Sequence, residues 1–323
     1  MLSVPHLLAS IVTLLLCASP AHAQGYPARP IRLICPFAPG GATDMIARSI
    51  AQRLTEQLGR AVIVENKSGG GGTIGAAEAA RAPADGYTIL IGEPGGLSIA
   101  VVTQKGLSYD PVRDFAAIAQ VVSVPMALVG HPSIGANSLT ELLAGAKSRT
   151  TPLNYGSPGN GTVQLLTMEQ LRLASGLSLA HIPYKGGGPA LNDLLGGQIP
   201  LLMVTLPTVS AHIKAGKLVP LAVLLRTRHA LYPSVPTALE AGLNGFDVGI
   251  WQGILAPTGT SREIVDRLNT ELRAAMASKE VKERLEGIGA DVIVGSADQF
   301  ASLIREDVAR WRKVVADAGV VLN

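Results

Sequence analysis

One local device occurs twice in this chain, and it calls for a parallel sheet flanked by helices. At the first copy, the apolar run Ile31-Arg32-Leu33-Ile34-Cys35 breaks at a Pro/Gly turn over 36–41 and gives way to a helical pattern over 43–58. There Ile46, Ile50, Leu54 and Leu58 recur every four residues on one face, and Gly59 supplies the stop. At the second copy, Leu153-Asn154-Tyr155 leads into Gly156-Ser157-Pro158-Gly159-Asn160-Gly161, and a helix over 162–173 follows, stopped by Gly176. A strand that passes through a glycine turn into an amphipathic helix is half of a crossover, and crossovers join parallel strands.

The remaining elements follow the same alternation. Residues 61–64 and 87–91 read as strands and 75–81 as a short helix, so the opening strand–helix–strand–helix–strand run is half of a doubly wound sheet. The pattern then restarts: 121–129 is an apolar β run, 138–147 a helix, and 181–184 and 218–224 are further strands. A last β run at 246–255 precedes a helical end, where Phe300, Leu303, Ile304, Val308, Trp311 and Val315 share one helix face. A domain begun twice, with helices at the C-terminus, implies an inserted middle domain. The expected division is 24–124 plus 248–323 for domain 1 and 125–247 for domain 2. Two domains also suit a chain of 323 residues, because single cores usually stop growing near ~250–300 residues.

The first twenty-three residues read as a secretory leader. Residues 7–18 are almost uninterruptedly apolar, too short for a membrane-spanning helix, and Ala21-His22-Ala23 is a small-x-small cleavage signal. The segment before the apolar run has no Lys or Arg, and Leu14-Leu15-Leu16 before Cys17 does not suit a lipid-attachment site. The expectation is cleavage near Ala23 and export to the periplasm. Cys35 is then the only cysteine, expected to be a small buried hydrophobe on a strand. His131, His181, His212 and His229 are scattered without metal-ligand spacing, and no metal or cofactor is expected. A formal charge of +3, from 27 Lys and Arg against 24 Asp and Glu, lacks the basic stripe that nucleic-acid binding needs.

Both glycine loops sit where unpaired backbone N–H groups and a helix dipole favour an anion, at the carboxyl ends of strands. Residues 39–44 and 157–162 are therefore expected to face each other across an interdomain cleft. The plainer alternative is two ordinary loops with caps at Thr43 and Thr162. Gly70-x-Gly72-x-x-Gly75 matches the dinucleotide fingerprint in form, with Glu93 closing the next strand. Its connection, Glu65-Asn66-Lys67-Ser68, is longer than that fingerprint's tight turn, and the following helix is short. Catalytic patterns are thin: Gly156-Ser157-Pro158-Gly159 lacks the Gly-x-Ser-x-Gly spacing of a nucleophile elbow. Asp44 suits the first helical turn as a dipole complement rather than a general base. Lys185 is placed either to reach an anion or to sit solvated in its loop.

Nearly end to end, the chain resembles the substrate-binding receptors of tripartite tricarboxylate transporters, the Bug or TctC family. The pieces that carry the resemblance begin with Tyr26-Pro27-x-Arg29-Pro30-Ile31, Pro36-Phe37-x-Pro39-Gly40-Gly41-x-x-Asp44 and Val64-Glu65-Asn66-Lys67. They continue with Ala84-Asp85-Gly86-Tyr87-Thr88, Tyr109-Asp110-Pro111-x-x-Asp114-Phe115 and Pro183-Tyr184-Lys185-Gly186. Gly196-Gly197-Gln198, Val235-Pro236-Thr237 and Trp251-x-Gly253 complete the series.

The resemblance implies a type II periplasmic binding protein, with two doubly wound α/β domains joined by two crossing strands and a ligand in the cleft. It implies a carboxylate held by the first strand–helix loop, through Phe37, Pro39, Gly40, Gly41, Ala42, Thr43 and Asp44. The second domain would close over it with Ser157, Gly159, Asn160, Gly161 and Thr162, near Tyr184 and Lys185. It makes Gly70–Gly75 a structural turn. The expected partners are a small carboxylate solute and the membrane subunits of the transporter, with the receptor itself a monomer and not an enzyme. A ligand sensor signalling to a membrane partner would share this fold and site, and an exported dinucleotide-binding enzyme is the other alternative. The chain departs from the family pattern at Leu165, at Pro200 and at Glu93-Pro94, where the family often has a small hydroxylic pair. A charged Glu93 facing the cleft would repel a second carboxylate, whereas one turned outward would be solvated.

Overall fold

The computed structural model describes residues 25–146 and 151–318; the leader, its cleavage point and Cys17 lie outside them. Strand β1 (Ile31–Cys35) passes through the turn into α1 (Ala42–Leu58), which Gly59 ends in a left-handed conformation with φ 63°. Ile46, Ile50 and Leu54 are fully buried, so the four-residue recurrence is the core face of this helix. Next come β2 (Val62–Asn66), α2 (Thr73–Ala80) and β3 (Thr88–Gly92). β1 lies between β2 and β3 in parallel register, with Leu33 opposite Val64 on one side and Ile89 on the other. A π-helical turn (Gly95–Ile99) and a short α3 (Ala100–Thr103) follow β3.

Strand β4 (Phe115–Gly130) is 16 residues long, well beyond the apolar run that marks it in sequence. Its first part, up to Pro125, pairs with the returning strand β9 (Gly249–Pro257). Its last part pairs on its two sides with β7 (Leu201–Thr205) and β8 (Val219–Val223). One strand thus runs through two sheets. Pro125, opposite Gly249, marks the handover, and proline has no N–H with which to extend a ladder.

The second lobe holds α4 (Leu139–Ala146), β5 (Leu153–Ser157), α5 (Val163–Ser175), β6 (Leu179–Pro183), α6 (Gly187–Leu195) and α7 (Leu206–Lys214), besides β7 and β8. β5 runs parallel between β6 and β7. The chain returns along β9, inserted antiparallel between β3 and β4, so the path reads β2-β1-β3-β9-β4-β7-β5-β6. Helices α8 (Arg262–Ala277) and α9 (Lys279–Gly287), the two-residue β10 (Asp291–Val292) and α10 (Ala297–Ala318) close the first lobe. Phe300, Ile304, Val308 and Trp311 are buried along one side of α10.

Several elements escape sequence reading, among them α6, β7 and α7. β7 is buried along its whole length, so it shows no alternation of apolar and polar residues. α6 opens on Gly187-Gly188-Pro189, which reads as a breaker, and α7 carries Pro207, which is tolerated in a first turn. Cys35 is fully buried, and burial pushes its thiol up to about 12. Among the described residues no helix is long and apolar enough to cross a membrane, and no group of His, Cys, Asp and Glu is placed to hold a metal.

Candidate functional site

The carboxyl ends of β1, β3, β5 and β7 converge on a narrow cavity between the lobes, whose free space of about 20 Å³ is room for little more than a water molecule. Phe37, Gly41, Ala42 and Thr43 come from the first loop and the opening turn of α1, and Glu93 from the end of β3. Gln252 comes from the crossing strand β9. The second lobe supplies Pro158, Gln164, Gly187, Val204, Thr205 and Thr208.

Three helices begin at this cavity, and none is capped by the side chain of its own N-cap residue. The N-cap of α1 is Gly41, that of α6 is Gly186 and that of α7 is Thr205, each without a side-chain capping bond. Helix N-termini leave backbone N–H groups without intrahelical partners and carry partial positive charge. No Lys or Arg lines the cavity, so the attraction for an anion is built from dipoles and amides. That arrangement suits a carboxylate held by backbone donors and hydroxyls.

The lobes touch each other around the site, glycine against glycine. Ala42 donates its N–H to Thr208 Oγ1 at 3.1 Å, and Ala38 donates to the Lys185 carbonyl at 2.9 Å. A methyl group placed on Gly41 would lie 3.4 Å from the Gly187 nitrogen, and one on Gly188 would overlap the Pro39 carbonyl oxygen. On the other side, a methyl on Gly71 would overlap the Asn160 carbonyl oxygen. Gly70, Gly71 and Gly72 all have positive φ, 58°, 63° and 102°, a conformation that favours glycine. Gly71, between the first two glycines of the dinucleotide-like pattern, therefore lies against the opposing lobe, whereas Gly70, Gly72 and Gly75 pack within their own lobe.

Asp44 lies outside the cavity lining and serves its loop. Its carboxylate accepts from the Gly40 N–H at 3.1 Å, from Arg48 Nε at 3.0 Å and from Asn66 Nδ2 at 2.9 Å. Asn66 Nδ2 also donates to the Phe37 carbonyl at 2.9 Å, so this cluster ties both ends of the turn to β2 and α1. Burial raises the Asp44 carboxyl, but Arg48, Asn66 and the Gly40 amide together outweigh it and hold the group below its usual range. Pro39 and Gly40 belong to the interlobe contact rather than to the lining.

The second loop is placed differently from its sequence reading. Ser157 is fully buried, its Oγ 2.7 Å from His181 Nε2 and within 3.2 Å of the Gly159 carbonyl. Thr162 donates to the same carbonyl at 2.8 Å and caps α5 by accepting the Leu165 N–H at 3.4 Å. Ser157, Gly159, Asn160, Gly161 and Thr162 do not line the cavity; Pro158 and Gln164 do. Tyr184 donates its hydroxyl to Asp193 Oδ2 at 2.7 Å. Lys185 is exposed and contributes its backbone carbonyl to the interlobe bond.

Glu93 is buried at the cavity wall, 4% exposed, so it does not turn outward to solvent. Burial raises its carboxyl to about 8, with the buried Asp307 adding to the rise and the Gly95 amide opposing it. Burial thus favours its protonated form at the cavity wall, which differs from both sequence alternatives, a charged group facing the cleft and one solvated outside. Gln252 Nε2 donates to Thr43 Oγ1 at 2.9 Å. Sequence reading missed Gln164, Gly187, Val204, Thr205, Thr208 and Gln252. Two signals were present: Thr205-Leu206-Pro207 is a helix start with an N-cap residue and early proline, and Gln252 is the unspecified residue of Trp251-x-Gly253.

Comparison with known proteins agrees with this geometry. The family model described as tripartite tricarboxylate transporter family receptor (TctC) matches residues 46–320. Protein BugT of Bordetella pertussis is 37% identical over 307 residues, covering 95% of this chain and 94% of that protein. The solved periplasmic binding protein BugD is 38% identical and superposes with a TM-score of 0.88 over 92% of this chain and 99% of that one. The R. palustris protein Rpa4515, solved with adipate, is 36% identical with a TM-score of 0.88 over the same shares. The fold is accordingly the two-domain type II periplasmic binding protein architecture, and the similar proteins are solute receptors rather than enzymes.

Proposed function

The chain belongs to the tripartite tricarboxylate transporter receptor family, and from that premise we propose that its two lobes close on one small carboxylate for delivery to the membrane subunits of such a transporter. The observation that carries this reading is the convergence of three helix N-termini, none capped by its own N-cap side chain, on a cavity without a cation. Backbone amides at Gly41 and Thr43 and the hydroxyls of Thr43, Thr205 and Thr208 hold the carboxylate, while the Ala42 amide is taken by Thr208. A relative solved with adipate supports this solute class.

The lobes divide at 24–124 plus 248–323 and at 125–247. The handover of β4 between sheets at Pro125 and the start of β9 at Gly249 support those limits. Opening occurs by bending these two strands, and closure forms the Ala42–Thr208 and Ala38–Lys185 bonds. Family membership and the apolar leader support a periplasmic receptor released by cleavage near Ala23. A single chain supplies every wall of the cavity, which supports a monomer.

The test is a thermal-shift screen of the mature chain against mono- and dicarboxylates of three to eight carbons. A ligand that binds only the native state stabilises it by about 2.7 kcal/mol at a hundred times its Kd. A carboxylate that raises the Tm of the wild type and leaves Gly41→Val unmoved is the expected result. If none raises the Tm at millimolar concentration, the reading fails.

A further inference from the structure

Three side-chain oxygens of residues that line the cavity have no well-aligned hydrogen-bond donor, although the Gly95 amide lies near the Glu93 carboxyl. Seven buried side-chain polar atoms among the described residues are without a partner, and three of them, Glu93 Oε1, Gln164 Oε1 and Gln252 Oε1, belong to residues that line this one cavity. Buried polar groups are paired in the great majority of cases, so a cluster of orphans at a binding cavity needs a physical reason. All three are acceptor oxygens. Gln252 turns its Nε2 toward Thr43 Oγ1, which leaves its oxygen unpaired. The opposite chemistry prevails at the helix N-termini, where the unpaired groups are N–H donors. The cavity therefore has a donor pole and an acceptor pole.

Resting on the carboxylate reading of the donor pole, we infer that the solute is a monocarboxylate whose other end carries N–H or O–H donors, received by Glu93, Gln164 and Gln252. A second carboxylate accepts only. Against this pole it would meet three unpaired acceptor oxygens, with donors only in the Glu93 proton and the glutamine Nε2 groups. An amide, hydroxyl or ammonium group meets them with donors. A buried acceptor left unpaired opposite a mismatched ligand is the kind of contact that gives sites their strongest discrimination. Glu93 is thus a specificity-determining residue, with the two glutamines beside it.

The experiment is titration calorimetry of the mature wild-type chain with matched probes: adipate against adipamate and 6-aminohexanoate, and succinate against succinamate and 4-aminobutyrate. The amide and ammonium arms separate an uncharged donor end from a cationic one. In the wild type the better donor-ended probe of each set should bind at least tenfold more tightly than its diacid. Glu93→Ser removes an acceptor and should bring that ratio below threefold. Glu93→Gln keeps the buried volume and supplies an amide N–H, so the diacids should gain about tenfold; it carries the test where the serine variant does not fold. Diacids that bind the wild type as tightly as the donor-ended probes overturn the inference, as does a ratio unchanged in both variants. If no probe of either kind binds the wild type, the carboxylate reading of the cavity fails first, and this inference falls with it.

Discussion

The two glycine loops are alike in sequence and opposite in their hydrogen bonding. The first, ahead of α1, spends its one acidic side chain, Asp44, on bracing the turn from behind, and the helix N-terminus it introduces has no cap from its own N-cap residue. The second, ahead of α5, satisfies itself: Thr162 caps the helix, and Ser157, Gly159 and Thr162 bond to one another. The first loop lines the cavity with Phe37, Gly41, Ala42 and Thr43, and the second contributes only Pro158. What separates them is whether a hydroxyl occupies the N-cap position, since an N-cap side chain takes up the amide that a ligand would otherwise receive.

The sharpest test is through pH, because Glu93, on the cavity wall after β3, and His181, beside the second loop, titrate in opposite senses. The Glu93 carboxyl is raised from 4.5 to about 8 by burial, so between those values the folded state holds a proton that the unfolded state has released. Stability is greatest below the unfolded value and falls as pH rises toward 8, by up to roughly 5 kcal/mol. Glu93→Gln should flatten that fall in urea unfolding measured from pH 5 to 8.5. His181, beside Ser157, is lowered by burial, with Glu169 partly opposing. Its contribution is present above its unfolded value of 6.5 and is lost as pH falls. His181→Gln should flatten the acid side alone. If one variant removes both slopes, the assignment of separate roles is wrong.

Gly41→Val is the next largest effect. Its backbone, φ −84° and ψ 170°, accepts a side chain, while the added methyls enter the cavity and press on Gly187. Solute affinity should fall at least a hundredfold, about 2.7 kcal/mol, with the midpoint of urea unfolding of the unliganded chain unchanged within error. Ser157→Val reverses the pattern in the other loop. It leaves His181 Nε2 and the Gly159 amide without the buried hydroxyl and should cost about 2 kcal/mol of stability, with the calorimetric Kd within threefold of wild type. A hundredfold loss of affinity here would make the second loop a site after all.

Thr162→Ala gives the smallest change. Loss of the cap on α5 should lower stability by about 1 kcal/mol and leave binding untouched. Introducing a capping hydroxyl in the first loop, Gly41→Ser, should do the opposite, weakening binding while raising the Tm by a degree or two. Equal effects of the two substitutions on Kd would remove the distinction between the loops.

Sequence alone determined the class of fold and one half of the site. The recurrence of Ile46, Ile50 and Leu54 specifies a helix face, and the turn 36–41 must end at a helix N-terminus, because both follow from local backbone geometry and side-chain period. The same local signals place Gly41, Ala42 and Thr43 at a cleft and the family resemblance places Phe37 there, and all four line the cavity. What only the tertiary structure decided is which distant segments complete the cavity. Thr205 enters from the end of a strand buried on both faces that shows no period, Thr208 from the first turn of the helix after it, and Gln252 from the crossing strand 209 residues away from the Thr43 it touches. The protonation of Glu93 was equally beyond sequence. The cost of ionising a carboxyl depends on the solvent it loses, and that is set by how the lobes close rather than by the residues on either side of it.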